Sequence, residues 1–231
     1  MERNRRDFLL RTGPLTASAI LLTPALLAQE KKNDKKEEAE EVGPTEDLMR
    51  EHGVLNRILL VYEEIDRRIT DKREFNPALL GESADMISRF IEQYHEKIEE
   101  DHLFPRFEKA HKLTDLIATL RTQHAAGRTV TGQIKEVVTR GLKTPDDKKF
   151  AQESIRKFVR MYRPHEARED TVLFPALHAI VSQHEFDAMG EEFEGIEKKT
   201  FGGDGFDMAV DQVTKIEKAL GIYDLAQFTP K

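Results

Sequence analysis

HEKIEEDHLFP at residues 95–105 returns seventy positions later as HEAREDTVLFP at residues 165–175. Six of the eleven positions are identical: His95 and His165, Glu96 and Glu166, Glu99 and Glu169, and both Leu-Phe-Pro triplets. Chance matches favour common residues, and histidine is uncommon, so the repeat marks a duplicated unit. In each copy a glutamate follows the histidine by four residues, one helical turn, and the two side chains leave the same face. Each copy is a nitrogen-oxygen claw. The Leu-Phe pair is expected to close the core layer above it, and the proline to kink or end the helix.

Outward from the claws the pattern stays helical. Leu48, His52, Leu55, Leu59 and Tyr62 recur at spacings of three and four, which places a first helix at about 45–70. Asp71 to Pro77 breaks the pattern, and a second helix runs through Met86, Phe90, Tyr94 and Ile98 towards Pro105. A third occupies about 113–140, Gly141 to Pro145 ends it, and a fourth runs from near Asp146 to about Ile180. No segment has the alternation of a strand. The expected fold is all-α: an up-down antiparallel four-helix bundle over 45–182 with a short C-terminal helical extension over 183–231. In that extension Ser182 and Glu185 form a capping box, 202–205 is a loop, and the last helix ends at Gly221.

The histidines supply an independent check. Residues at one depth on consecutive helices of such a bundle lie equally far from the turn that joins them. The midpoints between His52, His95, His124 and His165 fall inside 71–77 and 141–145, the expected turns, and inside 109–112, just after the first Leu-Phe-Pro triplet. Four histidines can therefore stand in one layer, with both claw glutamates beside them. His52, His95, Glu99, His124, His165 and Glu169 are the candidate metal ligands. Four neutral imidazoles and two carboxylates suit iron, manganese or zinc and are poor for calcium or magnesium. Two carboxylates aimed at one core position repel unless cations sit between them, and two metal ions bridged by both glutamates resolve that conflict. A shared oxo or hydroxo group completes the pair and leaves a position for an exogenous ligand. Glu96 and Glu166, one position off the claws, read as supporting or solvated groups; His102 reads as a rim residue, and His111, His178 and His184 as surface.

The chain of 231 residues has no cysteine, so thiolate ligands, disulfides and a cysteine nucleophile are excluded. Its net charge is -7 and its pI near 5.7, which argues against nucleic acid and anionic lipid as general partners. The start differs. Residues 1–28 carry Arg3, Arg5, Arg6 and Arg11, then a modestly apolar run to Ala28, and Asn4-Arg5-Arg6-Asp7-Phe8-Leu9 resembles a twin-arginine export signal. Residues 29–44 are charged and almost without apolar side chains, a solvated tether. The expected location is periplasmic or exported, with membrane contact only transiently through the signal.

The pattern from Glu51-His52 through His95-x-x-x-Glu99, His124 and His165-x-x-x-Glu169, with both Leu-Phe-Pro triplets, resembles the hemerythrin-like, or HHE cation-binding, family. The resemblance implies a four-helix bundle with a non-haem di-iron centre, and it assigns ligand roles to the same six residues. Oxygen-carrying hemerythrins place a second histidine four residues after the helix-3 histidine, where this chain has Arg128. They also place an aspartate five residues after the helix-4 histidine; Asp170 stands there, but Glu169 fits the repeat. The missing histidine opens the second iron and points away from reversible oxygen carriage, towards peroxide turnover or sensing.

Three readings follow: a binding or sensing protein for oxygen, nitric oxide or peroxide, a di-iron catalase or peroxidase, and a metal-free helical interaction module. The leader reading is testable by itself. Arg5→Lys with Arg6→Lys keeps the charge and removes the pair, so fractionation is expected to find a folded precursor retained in the cytoplasm; export equal to that of the parent would contradict the signal.

Overall fold

Apolar residues at helical spacing make the chain a series of helices joined by short turns over the region that the computed structural model describes, residues 42–230, and no strand occurs among the described residues. The leader and nearly all of the charged tether lie outside them. Helix α1 is Pro44–Thr70, with proline in its first turn and Glu46 and Asp47 complementing its positive end. Helix α2 covers 78–109 as one continuous rod of the segments Ala78–Met86, Ile87–His95, Glu96–Ile98, Glu99–Leu103 and Phe104–Lys109. Helix α3 is Thr114–Thr139. Helix α4 covers 145–177 as Pro145–Arg168, Glu169–Leu173 and Phe174–Leu177, and it opens on a capping box of Thr144 and Asp147.

The Leu-Phe-Pro triplets do not end their helices. Glu99–Leu103 and Glu169–Leu173 are single wide π-helical turns, and α-helix resumes at Phe104 and Phe174. Proline has no N–H and its ring collides with the carbonyl four residues back; before Pro105 and Pro175 the turn widens and the helix continues, whereas Pro164 is held inside regular α-helix. Both claws therefore meet a wide turn at their glutamate. A third wide stretch, Ile87–His95, leads into the first claw without a proline.

Helix α1 packs on α2 and α4, and α3 packs on α2 and α4, so each of the four touches two others. Their inward faces carry Leu55, Ile58, Tyr62, Phe90, Ile134 and Phe158, all buried. Helix α5, Gln183–Phe201, starts at the Ser182–Glu185 capping box and ends at Gly202 with φ 74°; α6, Gly205–Leu220, ends at Gly221 with φ 69°. Both glycines take the left-handed conformation that closes a helix. Phe201 of α5 meets Tyr94 and Phe90 of α2, while Glu217 of α6 receives the guanidinium of Arg57 on α1. No helix among the described residues is long and apolar enough to cross a membrane.

One close approach sets a test. A Cβ on Gly127 of α3 would overlap the hydroxyl and ring of Tyr162, whereas one on Gly132 of the same helix would meet nothing. Gly127→Ala is expected to cost about 1–3 kcal/mol through overpacking, and Gly132→Ala to gain about 0.5–1 kcal/mol from helix propensity. Urea midpoints of the two variants check the contrast.

Candidate metal centre

The four helices bring all six candidate residues together. His52 comes from α1, His95 and Glu99 from α2, His124 from α3, and His165 and Glu169 from α4; all six are buried, and both glutamates are wholly so. They form two triads, His52–His95–Glu99 and His124–His165–Glu169, each offering three ligand atoms within 4.8 Å of one another. The Nε2 atoms of His52 and His95 are 3.0 Å apart. Two nitrogens at right angles on one ion, each about 2.1 Å from it, take about that separation.

Each glutamate reaches both triads. Glu99 places Oε1 3.8 Å from His95 Nε2 and Oε2 3.5 Å from His124 Nε2. Glu169 Oε2 lies 3.2 Å from His165 Nε2 and 3.4 Å from His52 Nε2, and its Oε1 lies 4.0 Å from His124 Nε2. Above the layer Phe174 stacks on His52 and Phe104 on His124, both with ring centres 5.6 Å apart. The phenylalanine of each repeat thus covers the histidine of another helix.

Every imidazole is held from behind at Nδ1. His52 meets Asp170 Oδ1 at 2.7 Å, His95 meets Glu51 Oε2 at 2.7 Å, His124 meets Glu100 Oε1 at 3.1 Å, and His165 meets Gln123 Oε1 at 2.8 Å. These oxygens accept, so Nδ1–H donates and each Nε2 turns its lone pair to the centre. Outer partners of this kind fix the orientation of metal-binding imidazoles. They follow the repeat. Glu51 and Gln123 precede the lone histidines, and Glu100 and Asp170 follow the claw glutamates, so the duplicated unit extends one residue beyond each site residue. That offset is the signal by which sequence reasoning could have found them.

With the protons on Nδ1, both oxygens of Glu99, both of Glu169 and His124 Nε2 are buried without a hydrogen-bond donor. Orphaned acceptors facing one another cost several kcal/mol unless a cation satisfies them. The donor set of nitrogen and carboxylate oxygen, with no thiolate, fits iron, manganese or zinc. Burial pushes Glu99 well above the usual carboxylate range, and the charge of Glu169 adds to it.

A third group, Glu96, Glu100 and His124, also lies within ligand distance. Arg128 already fills it. The guanidinium sits 2.8 Å from Glu96 and 2.7 Å from Glu100, in the place where a cation would stand. Its bond and that of His124 outweigh burial and hold Glu100 down at about 2. Glu96 also accepts from the Tyr162 hydroxyl at 2.7 Å, yet burial pushes it up to about 8. Glu166 accepts from Asn56 and is pushed up to about 7 by burial. Neither Glu96 nor Glu166 is solvated. His102 is half-buried on Glu192, and His111, His178 and His184 are exposed.

The metal-free protein should show the frustration of Glu99 directly. Because its folded pKa lies above the unfolded value of about 4.3, the folded state binds the extra proton. Its stabilising share is whole below about pH 4.3 and is lost as pH rises through the folded value. Glu99→Gln keeps the shape and removes the ionisation, so its Tm advantage over the metal-free parent is expected to grow from pH 5 to pH 8. An advantage independent of pH would contradict the strained carboxylate.

No solved structure matches the chain. Uncharacterized proteins of Mycobacterium bovis and of two strains of Mycobacterium tuberculosis are each 46% identical over 220 residues, covering 94% of this chain and 86% of theirs. The hemerythrin HHE cation binding domain matches residues 43–177, a stretch that spans α1 to α4 and contains all six candidate ligands. The chain belongs to the hemerythrin family of HHE cation-binding domains.

Proposed function

We propose that this chain is a non-haem di-iron protein of the cell envelope, an up-down four-helix bundle exported by the twin-arginine route, that binds oxygen, nitric oxide or peroxide for binding or sensing. The reading rests above all on the two carboxylates that face each other, buried and without donors, between four inward-turned imidazoles. The family's cation-binding character and the ring of contacts among α1 to α4 support it. When bound, a pair of irons supplies open coordination positions and one-electron redox steps. The protein's part is to orient four nitrogens through Glu51, Glu100, Gln123 and Asp170, to neutralise the pair with Glu99 and Glu169, and to keep the layer dry with Phe104 and Phe174.

One observation favours a catalase or peroxidase as the alternative. Arg128, one turn beyond His124, points to Glu96 and Glu100 rather than to the triads, so α3 offers the centre a single nitrogen. Fewer protein ligands leave more room for a reacting molecule. Oxygen evolution from peroxide by the iron-loaded protein decides for the enzyme, and its absence for binding or sensing.

Glu99→Ala or Glu169→Ala is expected to remove both ions together, because each carboxylate reaches both triads, while Glu166→Gln stays near the parent. Elemental analysis reads the loss. Retention of one full equivalent in either alanine variant would contradict the bridging role, and a parent that holds less than about one iron per chain after loading would favour the metal-free module.

A further inference from the structure

The internal repeat predicts two equivalent openings onto the centre, one beside each claw histidine, and among the described residues one of them is an open cleft while the other is covered. On the α3–α4 side a cleft of about 370 Å³ lies between the helices, with Leu116, Thr119, Leu120, Gln123 and Pro164 on its walls and His165 at its floor. Its repeat counterparts on α1 and α2 are Pro44, Asp47, Leu48, Glu51 and Tyr94, with His95 as the floor. Thr119 and Pro164 are exposed and Leu116 and Gln123 half-buried, whereas every one of those counterparts is buried.

Helix α5 is the cause of the difference. Its Gly190 faces Pro44, its Phe186 ring packs on Gly43, and its Phe201 stands edge-on to Tyr94. Farther along, Phe193 and Glu192 close on His102. The C-terminal extension therefore lies over the mate of the cleft. The residues behind the floor histidines differ as well: Glu51 behind His95 is a carboxyl side chain with no exposure, and Gln123 behind His165 is an amide at the cleft wall.

We infer that the α3–α4 cleft is the route by which a small di- or triatomic molecule reaches the centre, arriving beside His165, and that α5 serves to seal the pseudo-equivalent route beside His95. The inference deepens the proposed function and rests on it. Gln123 is then a positioning residue that both orients His165 and forms the inner wall of the route. Thr119, one turn out from Gln123, and Arg168, across the cleft on α4, form its mouth, and both are exposed, so bulk there leaves the packed core alone.

The test uses the full chain loaded with iron and azide as the probe. Thr119→Trp and, separately, Arg168→Trp are expected to slow azide association about tenfold and azide dissociation by a similar factor, with Kd and iron content kept, because an obstruction on a route acts on both directions. Unchanged rates in both variants would overturn the inference. So would weaker binding with unchanged association, since the substitution would then have disturbed the centre rather than the route. A parent that holds two irons but shows no azide complex would overturn this inference while leaving the metal centre intact. A parent that holds no iron would overturn the proposed function itself.

Discussion

Glu99 and Glu169 confront each other in a core where neither finds a hydrogen-bond donor. Most features of the molecule answer to that confrontation. Four imidazoles converge on the same place, each held at Nδ1 by an acceptor at the back, so that Nε2 is the atom turned to the centre. Charged neighbours that could relieve the carboxylates are occupied elsewhere: Arg128 is taken by Glu96 and Glu100. Burying an uncompensated acceptor costs more than one hydrogen bond repays. The arrangement makes sense as a container for positive charge, and folding and metal binding would be coupled through it.

Duplication explains how such a container is built from simple parts. One unit supplies a lone histidine, a claw, an acceptor before the former and after the latter, and a phenylalanine that stacks on the imidazole of another helix. Two units close around one centre, and each glutamate then lies near nitrogens of both. The units have diverged in two places that bear on access. Gln123 stands where the first unit has Glu51, and α5 lies over Pro44 and Tyr94 of the first unit. A symmetric scaffold thereby becomes a centre with a front and a back.

How much of this was legible in the sequence depends on the range of the interaction. The claws are local, four residues apart on one helix, and periodicity places them without knowledge of the fold. The equal distances of the four histidines from the turns carry that reading one step further, to residues on different helices. The acceptors at Nδ1 are harder. Asp170 serves His52 on another helix, and Glu100 serves His124, so each pair depends on which helices become neighbours. Only the repeat offset hints at them. The prolines of Leu-Phe-Pro read as stops because local rules forbid the regular bond, but a single wide turn satisfies the same rule and lets the helix continue. Glu96 and Glu166 sit where periodicity says half-exposed; Tyr162, Arg128 and Asn56 make their burial tolerable, and none of those partners is near in sequence.

The central claim is that two ions share these two carboxylates. Magnetisation of the iron-loaded full chain, with iron quantified in the same sample, tests it most directly. The account predicts about two irons per chain with their spins coupled through the shared bridge. One iron per chain, or two that behave as isolated spins, would contradict it.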